Sequence, residues 1–348
     1  MRHVELFSTD TDDGVISVIA KTSKNGHQLA RQIRVGNAPR GGVKFTASGR
    51  GFVSNTSQNT ISEIDPVSLE EVRRIEVGHG PRGIGIVPGD KYLLVSNSGS
   101  DTLSVVDLEL NVEVRQLPTG RDPRHMAVTG DGKTAYICVW GDGVVIKADI
   151  SGLASGQPER VSVVERIDVG VTAHPYSVAI DPTGTRVFVA NTQATYASVI
   201  DIATGSVTQV ELGFIGGRAV TFSPDKQYAL ISVETTSSVY VVRLSDLAVM
   251  RDIPVGPGPR GLTVDSIDHT LYITNFARTK AMITHRGLEF GPNTLTMVDL
   301  DSAPLDRPEG EFTYEEITVG YGPCSVTMLD LNSLPAQRQE GGLARSEA

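Results

Sequence analysis

The chain has 348 residues, a formal net charge of −10, 36 glycines, 18 prolines, two cysteines and 5% aromatic residues. The acidic balance argues against a general nucleic-acid surface, and no apolar run approaches the roughly 18 residues that cross a membrane as a helix. The length is large for one ordinary domain but suits a repeat array without linkers.

Taken in chain order, "HVELFS", "GVISVIA" and "HQLARQIRV" read as three strands before residue 36. A stretch then recurs: "RVGNAPRGGVKF" from Arg34, "IEVGHGPRGIG" from Ile75, "PTGRDPRHMAVT" from Pro118 and "DVGVTAHPYSVAID" from Asp168. It continues as "ELGFIGGRAVTF" from Glu211, "IPVGPGPRGLT" from Ile253 and "TVGYGPCSVTML" from Thr318. Its anchors are Gly36, Gly78, Gly120, Gly170, Gly213, Gly256 and Gly320, spaced 42 to 64 residues apart. Behind each anchor come an apolar strand, a turn such as "VPGDKY" and a second strand ending near Asn, as in "LLVSN". An alternating third strand such as "TLSVVD" and a variable outer strand complete the unit. Short β runs without a helical period predict an all-β fold. A strand–turn–strand repeat of this size predicts a propeller.

Two stretches also spell G-x-G-x-x-G, at Gly78, Gly80 and Gly83 and at Gly256, Gly258 and Gly261. A dinucleotide turn must follow a strand and open a helix. Here strand, turn and strand follow instead. Pro81 and Pro259 also stand where such a turn needs N–H donors, and proline has none. The glycines therefore belong to the turn into each inner strand.

Seven anchors predict seven four-stranded antiparallel blades. The last leaves one strand, "PCSVTML", and the three N-terminal strands supply the rest of that blade. Such closure removes a free sheet edge. The expectation is one seven-bladed β-propeller domain over 1–330 and a polar, disordered tail over 331–348.

The V-G-x-x-P starts, the "YITN", "VSN" and "VAN" second strands and the "TLSVVD" and "ASVID" third strands resemble those of the YVTN-repeat (YncE-like, lactonase-like) β-propellers over nearly the whole chain. The resemblance implies the fold. It implies function only loosely, because fold does not carry activity with it. The N-terminus "MRHVELFSTD" lacks a signal h-region, so a cytoplasmic protein is expected. Cys138 and Cys324 fall in different blades and read as unpaired thiols of a reducing compartment.

In a propeller the start of each inner strand opens on one mouth of the channel. Aligning the repeats puts Arg40, Arg82, Arg124, Tyr176, Gly217, Arg260 and Cys324 at one position, with Arg218 at the next. Converging guanidiniums suit an anion, which arginine grips in bidentate fashion. Pairing to carboxylates of neighbouring blades is the structural alternative. Blades three to five break the repeat on this same face. They bring His125 and the single Trp140, then His174, Tyr176 and Tyr196, then Glu234. Packing between blades is the alternative for Trp140 and Tyr196. Blade six inserts "FARTKAMITHRGLEFGPN", Phe276 to Asn293, read as a lid that carries His285 and Arg286 over the mouth.

The sequence contains no G-x-S-x-G elbow, H-E-x-x-H, C-x-x-C or C-x-x-C-H motif. No cofactor is expected; a divalent metal on His125, His174 and His285 is the minor alternative. The catalytic candidates are therefore His125, His174, Tyr176 and His285 as acid–base groups. Arg40, Arg82, Arg124, Arg218, Arg260, Trp140, Tyr196, Glu234, Arg286 and Cys324 are the binding candidates. The expected function is a small-molecule site for an anionic ligand, leaning to an enzyme without a redox cofactor, of lyase, lactone hydrolase or isomerase/cyclase type. A non-catalytic ligand-binding or protein-interaction propeller is the alternative. Neither a nucleic acid nor a membrane is expected as partner.

Overall fold

A computed structural model describes residues 2–23, 26–276 and 293–336. Seven four-stranded antiparallel sheets make up the molecule. The inner strands of blades one to six are Pro39–Phe45, Pro81–Ile86, Pro123–Val128, Pro175–Ile180, Gly217–Phe222 and Pro259–Asp265. Blade seven takes its inner strand, Pro323–Asp330, from the C-terminal end and adds Val4–Asp10, Val15–Ser23 and Gly26–Arg34 from the N-terminus. Ser8 pairs with Val326 across this closure. The seven blades and the mode of closure are those the repeat predicts.

The second strands, such as Tyr92–Asn97 and Tyr228–Val233, are buried throughout. Each presents alternate side chains to the blade on either side, so they read as continuous apolar runs. Leu94 and Val105 of blade two pack on Ile137 and Ile146 of blade three. Phe7 and Ile16 of blade seven meet Val43 and Val53 of blade one, sealing the ring with the same chemistry. Outer strands such as Glu70–Glu76 are largely exposed. Beyond residue 330 a 3-10 turn, Leu331–Ser333, follows, and Leu331 and Leu334 are buried in that same cluster.

Inner strands of neighbouring blades approach closely, and this is what the glycine of Pro-Arg-Gly serves. A Cβ on Gly83 would stand 2.9 Å from the His125 Cα, and one on Gly41 (φ 78°) would overlap the Arg82 carbonyl oxygen.

Candidate functional site

The site begins with strand register. Pro39, Pro81, Pro123, Pro175 and Pro259 each pair with the last residue of the second strand: Asn55, Asn97, Val139, Asn191 and Asn275. In blade five Gly217 pairs with Val233 in the same way. Gly217 is thus the counterpart of the prolines, and Arg218, not Gly217, holds the arginine position. The sequence alignment was one residue out in this blade, because "GGR" has no proline to anchor it.

The first tier of the mouth is therefore Arg40, Arg82, Arg124, Tyr176, Arg218, Arg260 and Cys324. Every inner strand slips register by a bulge at this tier, as between Pro81 and Ile84. Bulges re-aim side chains beside functional sites. Hydroxyls of the preceding blade then fix three of the strands. Ser54 Oγ donates to the Arg82 carbonyl at 2.8 Å, Ser232 Oγ to that of Arg260 at 2.7 Å, and Ser96 Oγ to that of Arg124. The serine of "VSN" has this role, which the sequence reading did not assign.

The ring is not uniform. Glu234 is buried and bridges two of its members: Arg260 Nη2 donates to Oε1 at 2.8 Å and Arg218 Nε to Oε2 at 2.5 Å. Burial alone would raise the Glu234 carboxyl, but the two guanidiniums outweigh it and hold the group ionised. Burial works against the Arg260 charge, and Glu234 outweighs that and raises its pKa. On this side the structural alternative holds: the charges are already matched. Glu234 sits in a 3-10 turn, Glu234–Thr236, that replaces the Asn loop of other blades.

The opposite side is unmatched. Arg124 reaches Asp122, but its Nε and those of Arg40 and Arg82 are buried without a hydrogen-bond partner. Neither Arg40 nor Arg82 forms an ion pair among the described residues. Burial, then repulsion from Arg124 and Arg40, pushes the Arg82 guanidinium down to about 10.

Tyr176 separates the two halves. Its ring lies 5.6 Å from the Arg124 guanidinium carbon, 5.0 Å from that of Arg218 and 5.0 Å from the His125 ring. Trp140 lies under Arg124 at 5.1 Å and donates its indole N–H to Thr192 Oγ1 at 3.0 Å. Burial raises the Cys324 thiol, but Arg40, Arg260 and Arg82 more than offset this and bring it below its usual value.

Below the ring the channel opens into a cavity of about 530 Å³. His125, Ser177, Ser325 and Lys44 are among its lining residues, and no carboxylate lines it among the described residues. His125 is half-buried and lines the bore. Burial, then Lys44, Arg82, Arg124 and Arg40, lowers it to about 3. At neutral pH it is therefore an uncharged imidazole, able to hydrogen-bond but too weak a base to hold a proton. Lys44 was missed by sequence analysis: it lies four residues past Arg40, in what reads as an ordinary β run.

The remaining candidates lie behind the mouth. His174 (φ 53°) stacks on Trp140 at 4.0 Å and donates Nδ1–H to the Trp140 carbonyl at 2.9 Å. Tyr196 donates its hydroxyl to the Val169 carbonyl at 3.1 Å, joining blade four to the strand before it. Both brace the site from behind. The expected lid, with His285 and Arg286, falls outside the described residues except at its ends. Phe276 at one end packs on Arg260, ring to guanidinium 3.8 Å. No cluster of metal-ligating side chains occurs among the described residues. Nor is any described helix long and apolar enough to cross a membrane.

These features define the chain as a seven-bladed β-propeller whose channel is cationic at one end. Residues 37–133 match the family model described as a YNCE-like β-propeller, bearing out the resemblance drawn from the repeats. No curated protein matches the chain. Among solved structures it is similar to one from Bacteroides fragilis NCTC 9343 described as a "putative 6-phosphogluconolactonase". The identity is 13% and the TM-score 0.77, over 94% of this chain and 98% of that one. A protein of the same description from Bacteroides uniformis ATCC 8492 gives 14%, 0.75, 94% and 99%. Kuenenia stuttgartiensis hydrazine synthase gives 20%, 0.67, 85% and 97%. At these identities the likeness is one of fold.

Proposed function

We propose that the propeller binds a small anionic molecule at the arginine-ringed mouth and acts on it without a redox cofactor, by hydrolysis of a lactone or a related lyase or isomerase step. One observation carries the reading. Arg40, Arg82 and Arg124 converge with buried, unpartnered Nε groups and no counter-charge among the described residues for the first two. Like charges held together in a low-dielectric mouth are costly until an anion joins them. The same guanidiniums would then serve as oxyanion stabilisers. Tyr176, set between Arg124 and Arg218, would pass a proton to a departing oxygen. The lactonase description of two fold neighbours makes a lactone the first substrate class to try.

The test is thermal unfolding in phosphate or citrate against chloride at fixed ionic strength. Saturation near 100 times Kd contributes about 2.7 kcal/mol, a shift of a few degrees. Arg82→Met should lose that shift and also raise the Tm of the unliganded protein, because it removes a repelled charge. An Arg82→Met protein that is less stable and still shifts with phosphate would assign Arg82 a structural role. Turnover is then sought with phosphorylated and plain sugar lactones. Binding without turnover leaves the non-catalytic alternative.

A further inference from the structure

The cavity beneath the ring holds a sixth cation that the ring does not explain. Lys44 pairs across its blade with Phe52. The same register in other blades joins Gly85 to Leu94, Ala127 to Tyr136, Ala179 to Phe188 and Thr327 to Phe7. Lys44 thus stands in a tier of small residues, two tiers below the arginines, and its side chain is solvent-exposed where it lines the bore. Its strand reaches this tier through an irregularity of its own. Between Pro39 and Lys44 the inner strand advances five residues while its partner advances three, one residue more than in blade two. Gly41 and Gly42, both at positive φ, make that extra bulge.

Lys44 has no carboxylate partner among the described residues, and it lines the cavity together with His125, Ser177 and Ser325. Of the charges that act on His125, that of Lys44 is the strongest. Among the described residues, Arg40, Arg82, Arg124, Arg218, Arg260 and Lys44 thus face only Glu234 and Asp122 as paired carboxylates, in a protein whose overall charge is −10. A single monovalent anion at the ring would leave that excess largely uncompensated.

We propose that the ligand carries two anionic groups joined by a short hydroxylated chain, one end held by Arg40, Arg82 and Arg124 and the other reaching Lys44. This rests on the anion-binding reading above and extends it to the class of molecule bound. The two tiers are separated by roughly two strand rises, about 7 Å, which suits a chain of three to six carbons. Ser177 and Ser325, with the uncharged imidazole of His125, offer hydrogen bonds to hydroxyls between the charged ends.

Two matched pairs of probes test this: glycerol 3-phosphate with 3-phosphoglycerate, and sorbitol 6-phosphate with 6-phosphogluconate. Within each pair the phosphate and chain length are kept and only a terminal carboxylate is added. Kd is measured by calorimetry at fixed ionic strength for the wild type, Lys44→Met, Lys44→Gln and Arg82→Met. The acid of at least one pair should bind the wild type about tenfold or more tightly than its alcohol. Both Lys44 variants should lose that preference while binding the alcohol as before, and Arg82→Met should weaken both members. Equal binding of acid and alcohol in both pairs, or a preference that survives in the Lys44 variants, overturns the two-ended ligand and leaves the anion site standing. If none of the four compounds binds, the anion reading fails and this inference with it.

Discussion

Cys324 occupies, in blade seven, the position that arginine fills in five other blades, so its sulfur faces guanidiniums on both sides. Burial would raise the thiol pKa, and Arg40, Arg260 and Arg82 outweigh it and bring it below the usual value. Cys138 has only burial, which pushes its thiol up. The two sulfurs should therefore differ in chemistry although both are buried. A free thiol in water reacts readily with neutral iodoacetamide, and a sulfur in a cationic mouth should instead favour the anionic iodoacetate, by roughly tenfold. Phosphate should slow that reaction, and Cys138 should stay unmodified until the protein unfolds. Peptide mass mapping after timed alkylation reads all three outcomes. Equal rates for the two reagents at Cys324 would mean that the sulfur does not feel the ring.

At the scale of the strand, the Asn that ends each "VSN" or "VAN" run is a clamp. Asn55 Nδ2 donates to Ser62 Oγ at 2.7 Å, Asn97 to Ser104 at 2.7 Å, Asn191 to Ser198 at 2.9 Å and Asn275 to Thr296 Oγ1 at 2.6 Å. Each bond ties the second strand to the third near the mouth. The closing blade writes Asp10 at this place, and the carboxylate accepts from Ser17 Oγ at 2.5 Å, Ser8 Oγ at 2.8 Å and the Gly320 N–H at 3.0 Å. Burial outweighs those bonds and lifts Asp10 to about 6. A carboxyl whose folded pKa lies above its unfolded value stabilises the fold most below about pH 4, and that contribution is lost as pH rises through 6. The shift of about two units corresponds to about 3 kcal/mol at most. Asp10→Asn should therefore raise the Tm at pH 7.5, and the gain should vanish on titration to pH 4. A Tm lowered at pH 7.5 but not at pH 4 would mean that the ionised carboxylate is what the closure needs.

For the molecule as a whole, the repeat made the fold legible. Blades are local units, so their strands, turns and spacing survive in sequence. The closure followed from counting strands at the two ends. The site was less legible because its parts are joined by register and by contacts between blades. The arginine of Pro-Arg-Gly could be picked out, yet Arg218 was misplaced by one residue where proline is missing. Glu234 could be placed on the rim, but not its bridge between Arg218 and Arg260, which joins side chains 26 and 16 positions away. His174 and Tyr196 reach the right face and then turn to backbone carbonyls, which a residue count cannot foresee. Lys44 went unseen because an extra bulge residue sets its tier.

The central claim is that the unmatched arginines hold an anion. A crystal soaked in selenate or tungstate, with anomalous data collected at the metal or selenium edge, tests it most directly. The account predicts a peak inside the mouth, within about 3–4 Å of the Arg40, Arg82 and Arg124 guanidiniums, that disappears in Arg82→Met. Peaks confined to surface lysines, with the mouth empty at saturating anion, would contradict it.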